Sequence, residues 1–343
     1  MTMTTTPALV LILALAGGAA AQLDRGQKLF QAGDVAGALK EFEAAAKADP
    51  KDPRAPYLRG VALEKKGDAA TAEKAYREAL ARDSHFPPAH NNLGALLLAR
   101  GERAAAEKEL QAAVKADPRY ADAHFNLGLL RDAEKKHAEA VAAYRQAARL
   151  RPDDPAIRLN LGAALRRSGD LDGALTELQQ ATRLGPKDAV AWSNLGLLLS
   201  DKKAYDDARA ALQKATALDA KYVVAWYGLG RVELRRKQPA AAVEALEKAR
   251  KLEPKDPGIA SDLCRALVDK DPLAARAATE CRAALALEPE SAMSRWMLGK
   301  SLVAQGQCAA AKTELDKFAA LPTVKAEAKE GAKSLLASCT KKK

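Results

Sequence analysis

Apolar residues recur three or four positions apart through most of the chain, in short runs separated by charged residues, Gly and Pro. The stretch ADAHFNLGLLRDAEKKHAEAVAAYRQAARLRPDD, Ala121 to Asp154, shows the pattern most clearly: Phe125, Leu127 and Leu130 form one run, and Ala140, Val141, Tyr144, Ala147 and Ala148 form another. That spacing predicts two amphipathic helices. Lys135, Lys136 and His137 are the turn expected between them. Pro152 is expected to stop the second helix, and Asp153 and Asp154 to offer caps to the next one.

The unit recurs. Leu-Gly falls at Leu93-Gly94, Leu127-Gly128, Leu161-Gly162, Leu195-Gly196 and Leu229-Gly230, each pair 34 residues after the last. A fixed period of this length marks stacked supersecondary units, each touching its neighbours, in place of separate globular cores. Gly128 falls in mid-helix, where glycine costs about 1 kcal/mol relative to Ala, so packing must require it. With the two helices antiparallel, Gly128 is expected to face Ala140, with Tyr144 filling the space beyond. In Leu127, Gly128, Ala140, Tyr144, Ala147 and Pro152 the unit resembles the tetratricopeptide repeat. The resemblance implies an all-α, right-handed superhelical solenoid whose first helices line a concave face. Nine repeats over residues 22–325 and a capping helix with a basic tail over residues 326–343 account for the chain after a leader, residues 1–21.

The register holds unevenly. Repeat one is legible mainly in its second half, through Gly26, Ala38, Phe42 and Pro50. Repeat eight departs: Cys264 takes the Gly position, the turn DKDPLAARA carries an extra residue, and Cys281 takes the large-residue position. A register shift is expected there, with recovery at Leu298, Gly299, Ala311 and Leu315.

The first 23 residues carry no charged side chain, and Ala19-Ala20-Ala21 before Gln22 reads as a signal-peptidase site. Export to a periplasm or medium, with cleavage after Ala21, is the expectation; an uncleaved anchor is the alternative, although the apolar core is far shorter than the roughly 20 residues of a spanning helix. Membrane contact elsewhere is expected to be peripheral at most. Aromatic residues make up only 4% of the chain, which suits close helix packing around Ala more than a thick core. The net charge of +11 favours encounter with acidic proteins or anionic surfaces. Nucleic acid is disfavoured as a partner because the basic residues are scattered.

No catalytic constellation, cofactor motif or metal motif stands out. The four histidines, His85, His90, His124 and His137, form no i, i+4 pair, and His90 and His124 share the register of Trp192 and Trp226, which predicts a common packing role. All four cysteines follow residue 263. In an exported chain this points to disulfides, and the repeat register favours Cys264 with Cys281 and Cys308 with Cys339, while sequence alone leaves three connectivities open.

The chain has five Asn, and Asn92, Asn126, Asn160 and Asn194 are spaced by one repeat, each two residues before its Gly. A side-chain amide both donates and accepts, so a row of them can hold an extended backbone without reading its sequence. Placed on the concave face that the resemblance implies, centred on repeats three to six, the row predicts a peptide site. Arg166, Arg167, Arg231 and Arg235, on or near the same face, predict selectivity for acidic side chains. The function expected is therefore a non-enzymatic, exported scaffold or adaptor holding an acidic protein segment in cell-envelope assembly. The alternative is a basic structural protein that docks on anionic envelope polymers or membrane surfaces.

Overall fold

The computed structural model describes residues 18–340. Most of the expected leader and the Lys341–Lys343 tail lie outside the described residues. The chain divides into two compact units, Met1–Asp153 and Asp154–Lys343; among the described residues each is built from helix pairs, the second with one further helix after its last pair, and there is no strand.

The first unit holds four pairs: α1 (Gly18–Gln31) with α2 (Val35–Ala48), α3 (Arg54–Lys66) with α4 (Ala69–Arg82), α5 (Pro87–Ala99) with α6 (Arg103–Ala116), and α7 (Ala121–Ala133) with α8 (His137–Leu150). Repeat one therefore keeps a full first helix. The expected cleavage site after Ala21 falls inside α1, and the buried Leu23 and Gly26 lie on the part that cleavage would leave.

The second unit holds α9 (Pro155–Ser168) with α10 (Leu171–Leu184), α11 (Ala189–Asp201) with α12 (Tyr205–Leu218), α13 (Val223–Arg235) with α14 (Pro239–Leu252), α15 (Pro257–Lys270) with α16 (Ala275–Leu287), and α17 (Ala292–Ala304) with α18 (Cys308–Ala320). Helix α19 (Ala326–Thr340) then packs on both α17 and α18. In this unit each first helix also packs on the next first helix, α9 on α11, α11 on α13, α13 on α15 and α15 on α17, forming a continuous layer. In the first unit α5 and α7 meet in the same way.

Packing within a pair centres on the repeat glycine. A Cβ on Gly60 would lie 2.5 Å from the Tyr76 ring, and one on Gly230 would lie 2.5 Å from Leu246 Cγ. The nearest neighbour of Gly128 is likewise the Tyr144 ring and not Ala140. The glycine does approach the small residue, with Ala106 O 3.3 Å and Ala208 O 3.1 Å from a Cβ on Gly94 and Gly196, but the large side chain expected beyond the gap lies directly on the glycine, and that is the expectation corrected. Tyr76 and Tyr144 are wholly buried in this role.

The turn inside every pair except that of α15 and α16 uses a left-handed residue at the same register position. It is Gly at 33, 67, 101, 169 and 306 but Lys at 135, 203 and 237, where φ is 61°, 62° and 58°. Where Gly-Asp occurs, as at Gly67-Asp68 and Gly169-Asp170, the Asp side chain also caps the second helix by accepting from Thr71 N and Gly173 N. The Lys turns lack that cap. Repeat eight has no left-handed residue at Asp271, because its longer turn reverses the chain over one more position.

Candidate functional site

The four row asparagines lie on first helices, two in each unit, and the two pairs are bonded differently. In the first unit they belong to a chain of side chains across three repeats. Asn126 Nδ2 donates to Asn91 Oδ1 at 2.8 Å, Asn91 Nδ2 to Asn92 Oδ1 at 3.1 Å, and Asn92 Nδ2 to the Tyr76 hydroxyl at 3.4 Å. The Tyr76 hydroxyl in turn donates to the Glu64 carboxylate. Burial pushes the Glu64 carboxyl above its usual range and the Tyr76 phenol far above its own. Every donor points toward Glu64, so each bond polarises the next. Asn91, off the row in sequence, is the buried link at 5% exposure.

In the second unit Asn160 Nδ2 donates to Ala156 O at 2.8 Å and Asn194 Nδ2 to Val190 O at 2.9 Å, each on its own helix one turn earlier. Neither amide oxygen takes a protein partner among the described residues. Asn126 Oδ1 likewise takes no partner among the described residues, so within the row only Asn92 Oδ1 is occupied, by Asn91 Nδ2; the second pair differs in bonding only its own helix.

The arginines also separate. Arg166 Nε binds Asp201 of the next first helix at 2.6 Å, and Arg167 is exposed but already engaged by a neighbouring group. Arg231 stacks over the Tyr227 ring, 5.6 Å from its centroid, and stands 3.8 Å from Asp262 with 57% of its side chain exposed. Asp262 and burial push the Tyr227 hydroxyl up to about 12, burial being the larger cause. Arg235 is exposed, with no ion pair among the described residues. The carboxylates of Asp201 and Asp262, which temper this positive face, were not singled out by sequence reasoning.

The histidine register has a structural purpose. His90 Nε2 meets Ser84 O at 3.1 Å and His124 Nε2 meets Pro118 O at 3.0 Å, while Trp192 Nε1 donates to Pro186 O and Trp226 Nε1 to Ala220 O, both at 3.0 Å. Each ring ties the start of a first helix to the carbonyl six residues earlier. His90 also meets Glu109 through Nδ1 at 2.7 Å, which raises the imidazole above and lowers the carboxyl below the ordinary range. Among the described residues no group of three His, Cys, Asp or Glu side chains is placed to hold a metal, and no helix is long and apolar enough to cross a membrane.

The cysteines stand as two close pairs. Cys264 and Cys281 have Cα atoms 4.7 Å apart, and Cys308 and Cys339, the latter on α19, 5.7 Å apart.

The comparisons with known proteins agree with this geometry. The cilia and flagella-associated protein 70 C-terminal domain matches residues 120–336, and two tetratricopeptide repeat families match residues 23–85 and 63–130. The chain belongs to the tetratricopeptide repeat family. No curated protein matches the chain. Among solved structures, the APC/C hetero-tetramer Cut9-Hcn1 is similar with a TM-score of 0.59 at 21% identity over 82% of this chain; the chain spans 56% of that one. Pseudomonas aeruginosa pilF gives a TM-score of 0.57 at 21% identity, covering 64% of this chain and 97% of that one. A tetratricopeptide repeat protein from Parabacteroides merdae gives 0.52 at 16% identity, covering 73% and 99%. At these identities the likeness is one of fold.

Proposed function

We propose that the chain is a non-enzymatic, exported scaffold that holds an extended acidic protein segment against its first helices, in assembly of a cell envelope. Tetratricopeptide folds are generally binding scaffolds, which supports the coarse reading. The observation that carries the finer one is the first-helix layer of the second unit, in which Asn160 on α9 and Asn194 on α11 keep free amide oxygens and α13 carries the exposed Arg231 and Arg235. Backbone N–H groups of a bound segment donate to the amides, and its carboxylates pair with the arginines. Export rests on the uncharged apolar start and on the two cysteine pairs, which in an oxidising compartment become disulfides.

The test is crosslinked capture of a partner from the native envelope fraction, followed by affinity measurement with Asn160→Ala/Asn194→Ala and Arg231→Ala/Arg235→Ala variants of unchanged helicity. Weaker binding in both variants is expected. Unchanged affinity sinks the site. N-terminal sequencing should give Gln22 first, and peptide mapping without reductant should give Cys264 linked to Cys281 and Cys308 to Cys339. The net charge of +11 favours a second reading, docking on anionic polymers or lipids; binding that vanishes with salt and is not competed by peptide selects it.

A further inference from the structure

Asn160 and Asn194 donate to Ala156 O and Val190 O, so each amide shares a helix face with the residue four positions earlier. The same register places Val224 on α13, Gly258 on α15 and Met293 on α17. Val190, Val224 and Met293 are 40%, 44% and 41% exposed, in a molecule that exposes few large apolar side chains. Seven and eleven positions further along α13 the same face carries Arg231 and Arg235. The layer is therefore two-sided: apolar near the helix starts, cationic near the α13 end, about 16 Å apart along the helix.

Spacing across the helices decides which backbone fits. Because α11 packs directly on α13, equivalent residues of neighbouring first helices recur at about 8–10 Å. A β-strand returns a side chain to the same face every second residue, about 6.7 Å, and falls out of step within two repeats. A polyproline-II helix returns every third residue, about 9.3 Å, and leaves its whole backbone free to bond with side-chain amides.

We propose that the α11–α13 face binds a polyproline-II segment with an apolar side chain at every third position, seated on Val190 and Val224, and acidic side chains turned toward Arg231 and Arg235. This deepens the peptide-binding reading and rests on it.

The test is fluorescence anisotropy on the full chain with labelled peptides of equal length and charge: a Pro-Val-Glu repeat, an alternating Val-Glu-Val-Gln-Val-Glu repeat, and a scramble of the first. The period-three peptide should bind roughly tenfold tighter than either control. Val190→Asp with Val224→Asp should weaken it by roughly tenfold or more, the scale of two lost apolar contacts, with helicity unchanged because both sites lie in exposed first turns where an acid is tolerated. Equal or tighter binding of the alternating peptide or the scramble, no detectable binding of the period-three peptide, or indifference to the Val variant overturns the proposal. The underlying reading fails separately: a captured native partner unaffected by Asn160→Ala/Asn194→Ala removes it, whereas a partner or alternating peptide sensitive to those changes but not to the Val variant keeps it and removes polyproline-II recognition.

Discussion

Cys264 and Cys281, with Cα atoms 4.7 Å apart, occupy the two positions at which the other pairs set a glycine against a large side chain, as Gly230 is set against Leu246. Two medium side chains replace one absent and one large, and the extra residue in the α15–α16 turn keeps them opposite each other. Cys264→Gly with Cys281→Leu should therefore rebuild the common packing: helicity is retained and thermal unfolding becomes indifferent to reduction of that pair. Cys264→Ala with Cys281→Ala has neither bridge nor filling and should melt lower, by a stability loss of about 2–4 kcal/mol in oxidised protein. Calorimetry with and without reductant measures both.

The glycine contact makes a sharper demand elsewhere. Gly128→Ala drives a methyl into the wholly buried Tyr144 ring, an overpacking expected to cost about 1–3 kcal/mol. Against a Tyr144→Ala background the same Gly128→Ala change should cost markedly less, because the ring atoms that the methyl meets are gone. A denaturant double-mutant cycle that shows simple additivity would refute the contact.

The period, the helix pairs and the inter-repeat turns were legible because they depend on local pattern, and each 34-residue step repeats the same evidence. The close approach at Gly128 was legible, but not that the Tyr144 ring lies on the glycine instead of beyond it, because spacing does not say how a side chain is turned. The asparagine row was visible as spacing, but its division was not. Whether an amide bonds its own helix, as Asn194 does, or a neighbour such as Asn91 depends on side chains brought in by other repeats.

The turn at Lys237 combines two local weaknesses, a left-handed non-glycine residue at φ 58° and an uncapped α14. Lys237→Gly with Gln238→Asp copies the Gly169-Asp170 turn, whose Asp accepts from Gly173 N. Relief of the left-handed conformation and a new cap should together add about 2 kcal/mol. Equilibrium urea unfolding should show a higher midpoint with an unchanged slope.

His90 and Glu109 give the fold a pH window. His90, raised above its ordinary 6.5 chiefly by its hydrogen bond to Glu109, contributes fully below that value and loses its contribution as pH rises through the folded pKa. Glu109, lowered beneath its ordinary 4.5 chiefly by His90, contributes above that value and loses it as pH falls through its folded pKa. Nearby Asp83 adds to the first effect, Arg77 and Lys108 to the second. Between about pH 6 and about pH 9 the melting temperature of the wild type should fall more steeply than that of His90→Gln. Parallel curves would show the pair to be inert.

The two asparagine pairs should part company on substitution. Asn126 donates at 2.8 Å to Asn91 Oδ1, which belongs to a side chain only 5% exposed. Asn126→Ala leaves that acceptor buried and without its donor, a loss of roughly 1–3 kcal/mol. It also breaks the relay of donors toward Glu64, so the carboxyl should lose some of the support that the polarised chain gives its charged form. Asn194→Ala removes only a bond to Val190 O, a carbonyl in the first turn of a half-exposed helix face that water can reach, and its effect on stability should stay within about 0.5 kcal/mol. Binding should show the reverse order, since Asn194 bonds only its own helix and lies in the same first-helix layer as Arg231 and Arg235, whereas Asn126 is held by its Nδ2 in a chain of side chains within the protein. Melting temperature and partner affinity, measured on both single variants, test the pair of statements together. If Asn126→Ala proves neutral in stability and the more damaging to binding, the relay is decorative and the ligand contacts lie in the first unit instead.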